Sequence, residues 1–458
     1  SIKLYVWSAN GKIFDGNNDG IPDWPQVAGL FSSDGASSPT IADLDGDNNE
    51  EIIIGGSGEN KVYVFYNTGT LVSNWPKNTS GQVVSTAAVG DLDINYPGLE
   101  VVISAFGGKI YAWHADGTDV LGWPVNISYS QTKASPVLGD IDDDGVLEVI
   151  ANTGDQILVL YANGSVASGW GNKKLDVIST SSPSLGDLNG DGNIEIVLPD
   201  GESLYVWNSD GTLVKGWPQP LYSHLSSPAI GDITGDGTQE IVIGSYDKKV
   251  YAYYNNGSIV KGWPKNVDET VSISPALGDL DGDGDIEVVA GSFGGYLYVW
   301  DLPTTYDEKN IEWPQFHHDA QHTGLYQFEC VKPYDNLLVN GSTTLCPGTY
   351  FINDSDYLGV IKMNADNLEL DCHNAVIIGN GTGRGIYNVE HKNITIKNCI
   401  VNNYTNGIYL YLAINNFIHS NSALNNDWSG IYLTNSNNSV VSDNVVGGNH
   451  HGIGLFFS

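Results

Sequence analysis

The chain has 458 residues and a formal net charge of −35, from 54 acidic and 19 basic side chains. So acidic a surface excludes nucleic acid as a partner, because phosphate binding needs a basic face. Its apolar runs are short and rich in Val, Ile, Tyr and Trp, none is long enough to span a bilayer, and helical periodicity is absent, so the chain reads as all-β without a transmembrane segment.

The amino end lacks an initiator Met and a signal peptide and opens on Leu4-Tyr5-Val6-Trp7, which matches the third strand of the units that follow. It reads as a fragment that begins in mid-blade. An acidic insert comes next, with Asp15, Asn17, Asp19, Ile21 and Asp23 at positions one, three, five, seven and nine, and then Trp24-Pro25. Six longer units follow. Each runs Ser-Pro-Ala-x-Gly-Asp-Leu, an acidic loop, a β-branched run such as Ile286 to Ala290, an aromatic run such as Leu297-Tyr298-Val299-Trp300, a polar turn and Trp-Pro, which amounts to four strands. The first Asp of each loop recurs at intervals of 48, 49, 47, 45 and 47 residues, a period of blades or solenoid repeats. With no helical pattern, a β-propeller is the economical architecture. Trp24, Trp75, Trp123, Trp217, Trp263 and Trp313, each before Pro, and Trp170 before Gly171 mark seven outermost strands, where Pro costs no ladder bond. Seven blades are expected, the first without its inner strands; six blades with a spare hairpin is the alternative.

The acidic loops carry the chemistry. Positions one, three, five, seven and nine are Asp43, Asp45, Asp47, Asn49 and Glu51; then Asp140, Asp142, Asp144, Val146 and Glu148; then Asp187, Asn189, Asp191, Asn193 and Glu195; then Asp232, Thr234, Asp236, Thr238 and Glu240; then Asp279, Asp281, Asp283, Asp285 and Glu287. A hard cation takes six to eight oxygens, and Gly at six permits the sharp turn that converges them, so these loops read as calcium sites. Turns also use Asp, Asn and Gly, but an ordinary turn has no reason to keep a carboxylate at position nine. The copy between the first and second of these is degenerate: Asp91, Asp93 and Asn95 survive, Tyr96-Pro97 displaces the glycine, and Glu100 is one place late. About five to seven Ca2+ are expected. They would offset much of the charge, since residues 328–458 hold only ten acidic and five basic side chains and the propeller holds the rest.

Ser227-Pro228-Ala229-Ile230-Gly231-Asp232, Asp236-Gly237 and Glu240-Ile241-Val242-Ile243-Gly244, echoed in the other units, resemble the FG-GAP and VCBS repeats of integrin α-like propellers. The resemblance covers residues 1–327. It implies a propeller with calcium in the hairpin between the first two strands of each blade, and no single activity.

After His322-Thr323-Gly324 a new period begins. Gly385-Ile386-Tyr387, Gly407-Ile408-Tyr409, Gly430-Ile431-Tyr432 and Gly452-Ile453 are 22, 23 and 22 residues apart, one coil of a parallel β-helix. Asn398, Asn421 and Asn444 recur every 23 residues, as an asparagine ladder would. Residues 328–458 therefore form a second domain, and over about residues 360–458 it resembles the right-handed parallel β-helix repeats of NosD-like, carbohydrate-binding and sugar-hydrolysing proteins. Its last coil stops without a cap, so further coils are expected. Cys330 with Cys346 and Cys372 with Cys399 are expected to form disulfides, with four buried thiols as the alternative. Ten Asn-x-Ser/Thr sequons, among them Asn78, Asn126, Asn163, Asn256 and Asn393, suit a secreted or surface protein.

No catalytic set emerges. His317, His318, Asp319 and His322 form the one histidine cluster, but a Trp-Pro-x-Phe-x-x-Asp-x-x-x-Thr-Gly stretch of this kind closes propellers of the family it resembles. Gly379 to Gly385 lacks the Lys-Ser/Thr ending of a phosphate loop and reads as a coil turn, with Arg384 a solvated corner. Asp371, Asp427 and Asp443 make no pair at one-coil spacing, and Gly-x-Ser-x-Gly is absent. The expected role is a secreted or cell-surface calcium-binding protein whose propeller presents loops to an extracellular protein or glycan ligand. Its β-helix would serve as stalk or carbohydrate contact. A polysaccharide lyase or hydrolase and a structural envelope component are the rivals.

Overall fold

In the computed structural model the described residues are 3–8, 12–14, 24–29, 35, 37–127, 133–171, 173–222, 226–307, 310–326, 331–345, 349–372 and 375–456. The chain divides into two compact units, Ser1–Asp142 with Val146–Gln327 in the first and Asp143–Gly145 with Phe328–Ser458 in the second.

Among the described residues the first unit holds seven antiparallel sheets. Five have four strands in chain order. Blade one is Thr40–Ala42, Glu51–Gly56, Lys61–Tyr66 and Lys77–Asn78, and blade two is Ala88–Gly90, Glu100–Ala105, Lys109–His114 and Val125–Asn126. Blades three, four and five begin at Val137, Ser184 and Ala229 and repeat the plan. Blade six, Ala276–Gly278, Asp285–Gly291 and Leu297–Thr305, has three strands, and a half-sheet pairs Lys3–Leu4 with Gln26–Val27. The second strands are buried on both sides, which is why they read as unbroken β-branched runs rather than alternating ones.

Each recurring residue ties one blade to the next. The serine before proline accepts a backbone N–H from the preceding blade: Thr86 to Ser135 at 2.9 Å, Ser135 to Ser182 at 2.9 Å, Ser182 to Ser227 at 3.0 Å and Ser227 to Ser274 at 2.9 Å. The tryptophan of the outer turn donates its indole N–H forward, from Trp24 to the Asn67 carbonyl, Trp75 to Ala115, Trp123 to Ala162, Trp170 to Ser209 and Trp217 to Asn255, at 2.7 to 3.1 Å. A fully buried indole wants a partner for its N–H, and the neighbouring blade supplies it.

Trp313 departs from this pattern and from the outer-strand expectation. It is fully buried and pairs with Ile230 on the innermost strand of blade five. After blade six the chain turns inward, and residues 310–326 reach the innermost part of all six blades. Ile230 exchanges backbone bonds with Trp313, Leu277 donates to Pro314, Ile41 to Gln321, Val89 to Thr323 and Leu138 to Gly324. Blade four is met through the Glu312 carboxylate, which accepts the Asp187 amide at 2.5 Å. Glycine ends the inner strands of blades two to six, and in blade five the hub leaves no room for more: a Cβ on Gly231 would come within 2.7 Å of Ile311 and 2.9 Å of Leu277.

Among the described residues the second unit stacks 16 short strands into three parallel sheets of six, five and five. Rungs of like residues fill the interior, as in Ile361, Ile386, Ile408, Ile431 and Ile453, or Leu370, Ile396, Ile418 and Val441. The asparagine ladder is shifted by one residue from the expected place. Asn444 Oδ1 accepts the Asn421 amide and Asn421 Oδ1 accepts the Cys399 amide, each at 2.9 Å. Asn398 instead turns a corner at φ +55° and donates to Asp371. Two more ladders escaped the sequence reading: Asn426 and Asn449 under the Tyr404 amide, and Asn416 with Ser439 under that of Ile394. Cys372 and Cys399 form a disulfide with Cα atoms 4.7 Å apart. Cys330 and Cys346 lie outside the described residues.

Candidate metal loops

The regular loops connect the first and second strands of their blades, and local hydrogen bonds shape them before any ion is considered. The position-one aspartate gathers amides from the turn ahead of it. Asp43 accepts from Gly46, Asp47 and Asn48, Asp187 from Gly190, Asp191 and Gly192, and Asp232 from Gly235, Asp236 and Gly237, while Asp279 accepts from Gly282 and Gly284. Position six requires a left-handed backbone, taken by Gly192, Gly237 and Gly284 and, in the first loop, by Asn48 at φ +66°. The position-five aspartate accepts the amide of position seven, Asp47 from Asn49, Asp191 from Asn193, Asp236 from Thr238 and Asp283 from Asp285.

The position-nine glutamate opens the second strand, or in blade six stands third in it, and reaches back. Its Oε2 accepts the amide of position two, from Leu44, Ile141, Leu188, Ile233 and Leu280 at 2.6 to 3.1 Å. In Glu51, Glu240 and Glu287 the other oxygen is buried and has no hydrogen-bond partner. In three loops the side chains of positions one, three and nine converge, with ligand atoms of Asp43, Asp45 and Glu51, of Asp140, Asp142 and Glu148, and of Asp279, Asp281 and Glu287 within 4.8 Å of one another.

The electrostatics follow from that crowding. Burial, and after it the neighbouring loop carboxylates, pushes Glu51 up to about 7 and Glu195 and Glu240 up to about 8. A lone buried carboxylate oxygen facing other carboxylates is the donor set a hard divalent cation satisfies, so the residues present fit calcium. In the fourth loop the acid at position three is replaced by Asn189, whose amide meets Glu195 Oε1 at 3.2 Å.

The degenerate loop is built differently. Glu100 Oε2 accepts the Leu92 and Asp93 amides at 2.7 and 2.9 Å, but its Oε1 already faces His114 Nδ1 at 2.9 Å. Both side chains are buried, and the Tyr96 ring that displaces the glycine stacks on the imidazole with centroids 3.7 Å apart. His114 sits opposite Glu100 in strand register, where blade one has Tyr66 and blade six Asp301. Asp91, Asp93 and Asn95 thus surround a glutamate that has a side-chain partner. The sequence signal was the histidine itself, in a slot that no other blade fills with a basic residue. Asp15, Asn17, Asp19, Ile21 and Asp23 lie outside the described residues.

The remaining candidates take structural places. His317 is buried in the hub with Nδ1 2.6 Å from the His322 carbonyl and Nε2 2.9 Å from that of Pro136. Arg384 is not a free corner: its guanidinium lies 4.8 and 4.5 Å from the rings of Tyr387 and Tyr409 and bonds the Tyr357 carbonyl. Asp371 pairs with Lys397 at 3.2 Å.

Residues 187–243 and 232–290 match the FG-GAP-like repeat, and residues 329–458 match the family described as periplasmic copper-binding protein (NosD). The chain joins FG-GAP-like repeats to a NosD domain. No curated relative matches it in sequence. Among solved structures, BBS1N in complex with ARL6DN is 17% identical over 62% of this chain and 83% of that one, with a TM-score of 0.40. The V. cholerae biofilm matrix protein Bap1 is 14% identical over 65% and 56%, at 0.39, and BamB from Moraxella catarrhalis 14% identical over 60% and 88%, at 0.35. Likenesses this distant carry nothing about ligand or activity. The NosD description is of a periplasmic protein, which accords with an extracytoplasmic repeat protein. Among the described residues no helix is long and apolar enough to cross a membrane. Copper, which that description names, favours imidazole, thiolate and thioether donors. In the NosD domain Cys372 and Cys399 are joined, Met363 is buried, and His450 and His451 bring together two ring nitrogens at 3.1 Å. Among the described residues the groups of three His, Cys, Asp or Glu ligands are three acidic loops of the first unit, so the described residues of the second unit bring together no donor set that fits a copper centre.

Proposed function

We propose that the chain is a secreted or surface-displayed binding protein. Its FG-GAP propeller is rigidified by about five to seven Ca2+ and presents loops to an extracellular protein or glycan. Its NosD β-helix acts as a stalk or carbohydrate-contact module. The observation that carries this reading is the buried, unbonded Oε1 of Glu51, Glu240 and Glu287, repeated at one position of three blades. A single orphaned oxygen is an isolated defect; the same oxygen in repeated acidic loops is a ligand position. Cations at these loops would lie in the hairpins between the first two strands of the blades, which suits a structural role better than catalysis. The test is metal analysis after dialysis, together with binding to a panel of glycans with calcium or EDTA. At least three calcium ions per chain and calcium-dependent binding without release of reducing ends are expected. Turnover of an acidic polysaccharide would favour the lyase or hydrolase reading, and intact folding with no bound metal would end the calcium reading.

A further inference from the structure

The segment that turns inward after blade six meets two of the acidic loops at the same ligand. The Asn310 carbonyl accepts the Asp232 amide at 2.9 Å, and Glu312 Oε2 accepts the Asp187 amide at 2.5 Å. Both aspartates hold position one of their loops, and the segment lies directly on the glycines before them. A Cβ on Gly186 would stand 2.9 Å from Glu312 Oε2, and one on Gly231 2.7 Å from Ile311. Trp313 then exchanges two backbone bonds with Ile230. Residues 310–313 thus form a clip across the fourth and fifth loops.

The same carboxylate anchors the clip to the rest of the hub. Glu312 Oε2 also accepts the Tyr326 hydroxyl at 2.9 Å, and the Tyr326 amide donates to the Leu138 carbonyl on the inner strand of blade three at 2.8 Å. One oxygen therefore holds the first ligand of the fourth loop and both ends of the hub segment. Its charge works against that placement, since Asp187 repels Glu312 and Glu312 in turn repels Glu195. Asn189 leaves the fourth loop an acid short at position three, and Glu312 restores the balance. Asp187, Asp191, Glu195 and Glu312 match Asp43, Asp45, Asp47 and Glu51 of the first loop in charge. Without a cation these like charges push the clip away from blade four; a divalent cation among them turns the repulsion into attraction.

We infer that the fourth and fifth loops bind calcium cooperatively, coupled through the clip at residues 310–313, with Glu312 as the positioning residue that carries the coupling. The inference rests on the calcium reading of the loops and adds to it a shared element with two states, clip docked and clip released. A cation in either loop fixes its position-one aspartate, whose amide then holds the clip. The docked clip bonds the amide of the other aspartate, so the second cation meets a loop already set. Such coupling is reciprocal: each ion raises the affinity of the other loop by the same factor.

Hydrogen exchange read by peptide mass spectrometry along a calcium titration follows each loop and the clip separately, at a pH where the carboxylates are ionised, while native mass spectrometry counts the ions. Asp191→Ala and Asp236→Ala remove position five of the fourth and of the fifth loop and leave the clip residues intact. Asp191→Ala should move the midpoint of the fifth loop to about fivefold higher free calcium or more, and Asp236→Ala should move that of the fourth by the same factor. Asp47→Ala, in blade one, should move neither. In EDTA the parent should exchange quickly at the Ile230 and Trp313 amides. Glu312→Gln, which keeps an acceptor oxygen for Asp187 and Tyr326 but loses the charge, should keep those amides protected in EDTA and bind as many ions with the two loops independent. Ions bound in both loops at midpoints that neither alanine variant moves would overturn the coupling and leave the calcium reading standing. A clip equally protected in calcium and in EDTA would do the same. No ion in either loop of the parent would end the calcium reading and the coupling together.

Discussion

The propeller and the β-helix are both built of repeated strands, yet they hold their repeats together by opposite means. In the propeller, successive blades are bound by serine and tryptophan hydrogen bonds and apolar faces, and the hairpin nearest the hub carries a knot of carboxylates. In the β-helix, each coil lies on the last through like rungs, asparagine side chains that accept backbone amides of the preceding coil, and a disulfide. One design concentrates like charge and needs something to neutralise it. The other needs only polar atoms that match their neighbours.

Chelation should separate the two most sharply. A site held at a hundredfold excess of free calcium over Kd contributes about 2.7 kcal/mol, and the propeller has several. EDTA is therefore expected to lower the propeller transition by many degrees in calorimetry and leave the β-helix transition in place. A single shift common to both transitions would dissolve the distinction.

Reduction should act the other way. Cys372 and Cys399 close a loop with a sequence separation of 27, and opening it is expected to cost the β-helix about 3 kcal/mol while the propeller is indifferent. Cys399→Ala checks this by urea unfolding. Asn421→Ala would sharpen the same half: it strips a partner from the Cys399 amide and from the carbonyls of Ile396 and His419, all at 2.9 Å, for about 2 kcal/mol.

How far these differences could be read from the chain depended on whether a residue's partner recurs with the repeat. Loops, strands and coils were legible because Asp, Glu, Gly and apolar residues recur at the period of the structure they form. The hub was not, since Trp313 repeats the outer-strand signature while pairing with Ile230, and only the inward turn after Thr305 decides between the two. Asn398 misled for a related reason: in a coil one residue out of step, the ladder position passed to Cys399. His114 was missed because its partner, Glu100, lies across a strand pair and no sequence spacing encodes that.

The propeller's response to pH should change sign with calcium. With folded values near 7 to 8 for Glu51, Glu195 and Glu240, raised by burial and then by neighbouring acids, the unfolded chain releases these protons first as pH rises. In EDTA the propeller should therefore lose stability from about pH 5 to pH 8. With calcium, which takes only the ionised form, it should gain stability over the same range. Parallel trends under the two conditions would show that the glutamates do not meet the metal.

The smallest contrast lies inside the propeller, between a loop left for a cation and a loop closed by an imidazole. Asp281 converges with Asp279 and Glu287, whose Oε1 is unbonded, so Asp281→Ala removes a donor that nothing else in the blade replaces. One calcium ion fewer per chain and a melting temperature lower by a few degrees are expected. Asp93 stands beside Glu100, whose two oxygens are occupied by the Leu92 and Asp93 amides and by His114. Its amide bond to Glu100 is made by the backbone and survives substitution, so Asp93→Ala should leave the metal count unchanged and move stability by no more than about 0.5 kcal/mol. Native mass spectrometry counts the ions directly. Equal loss from the two variants would mean that His114 yields to calcium and that the second blade is bound like the rest.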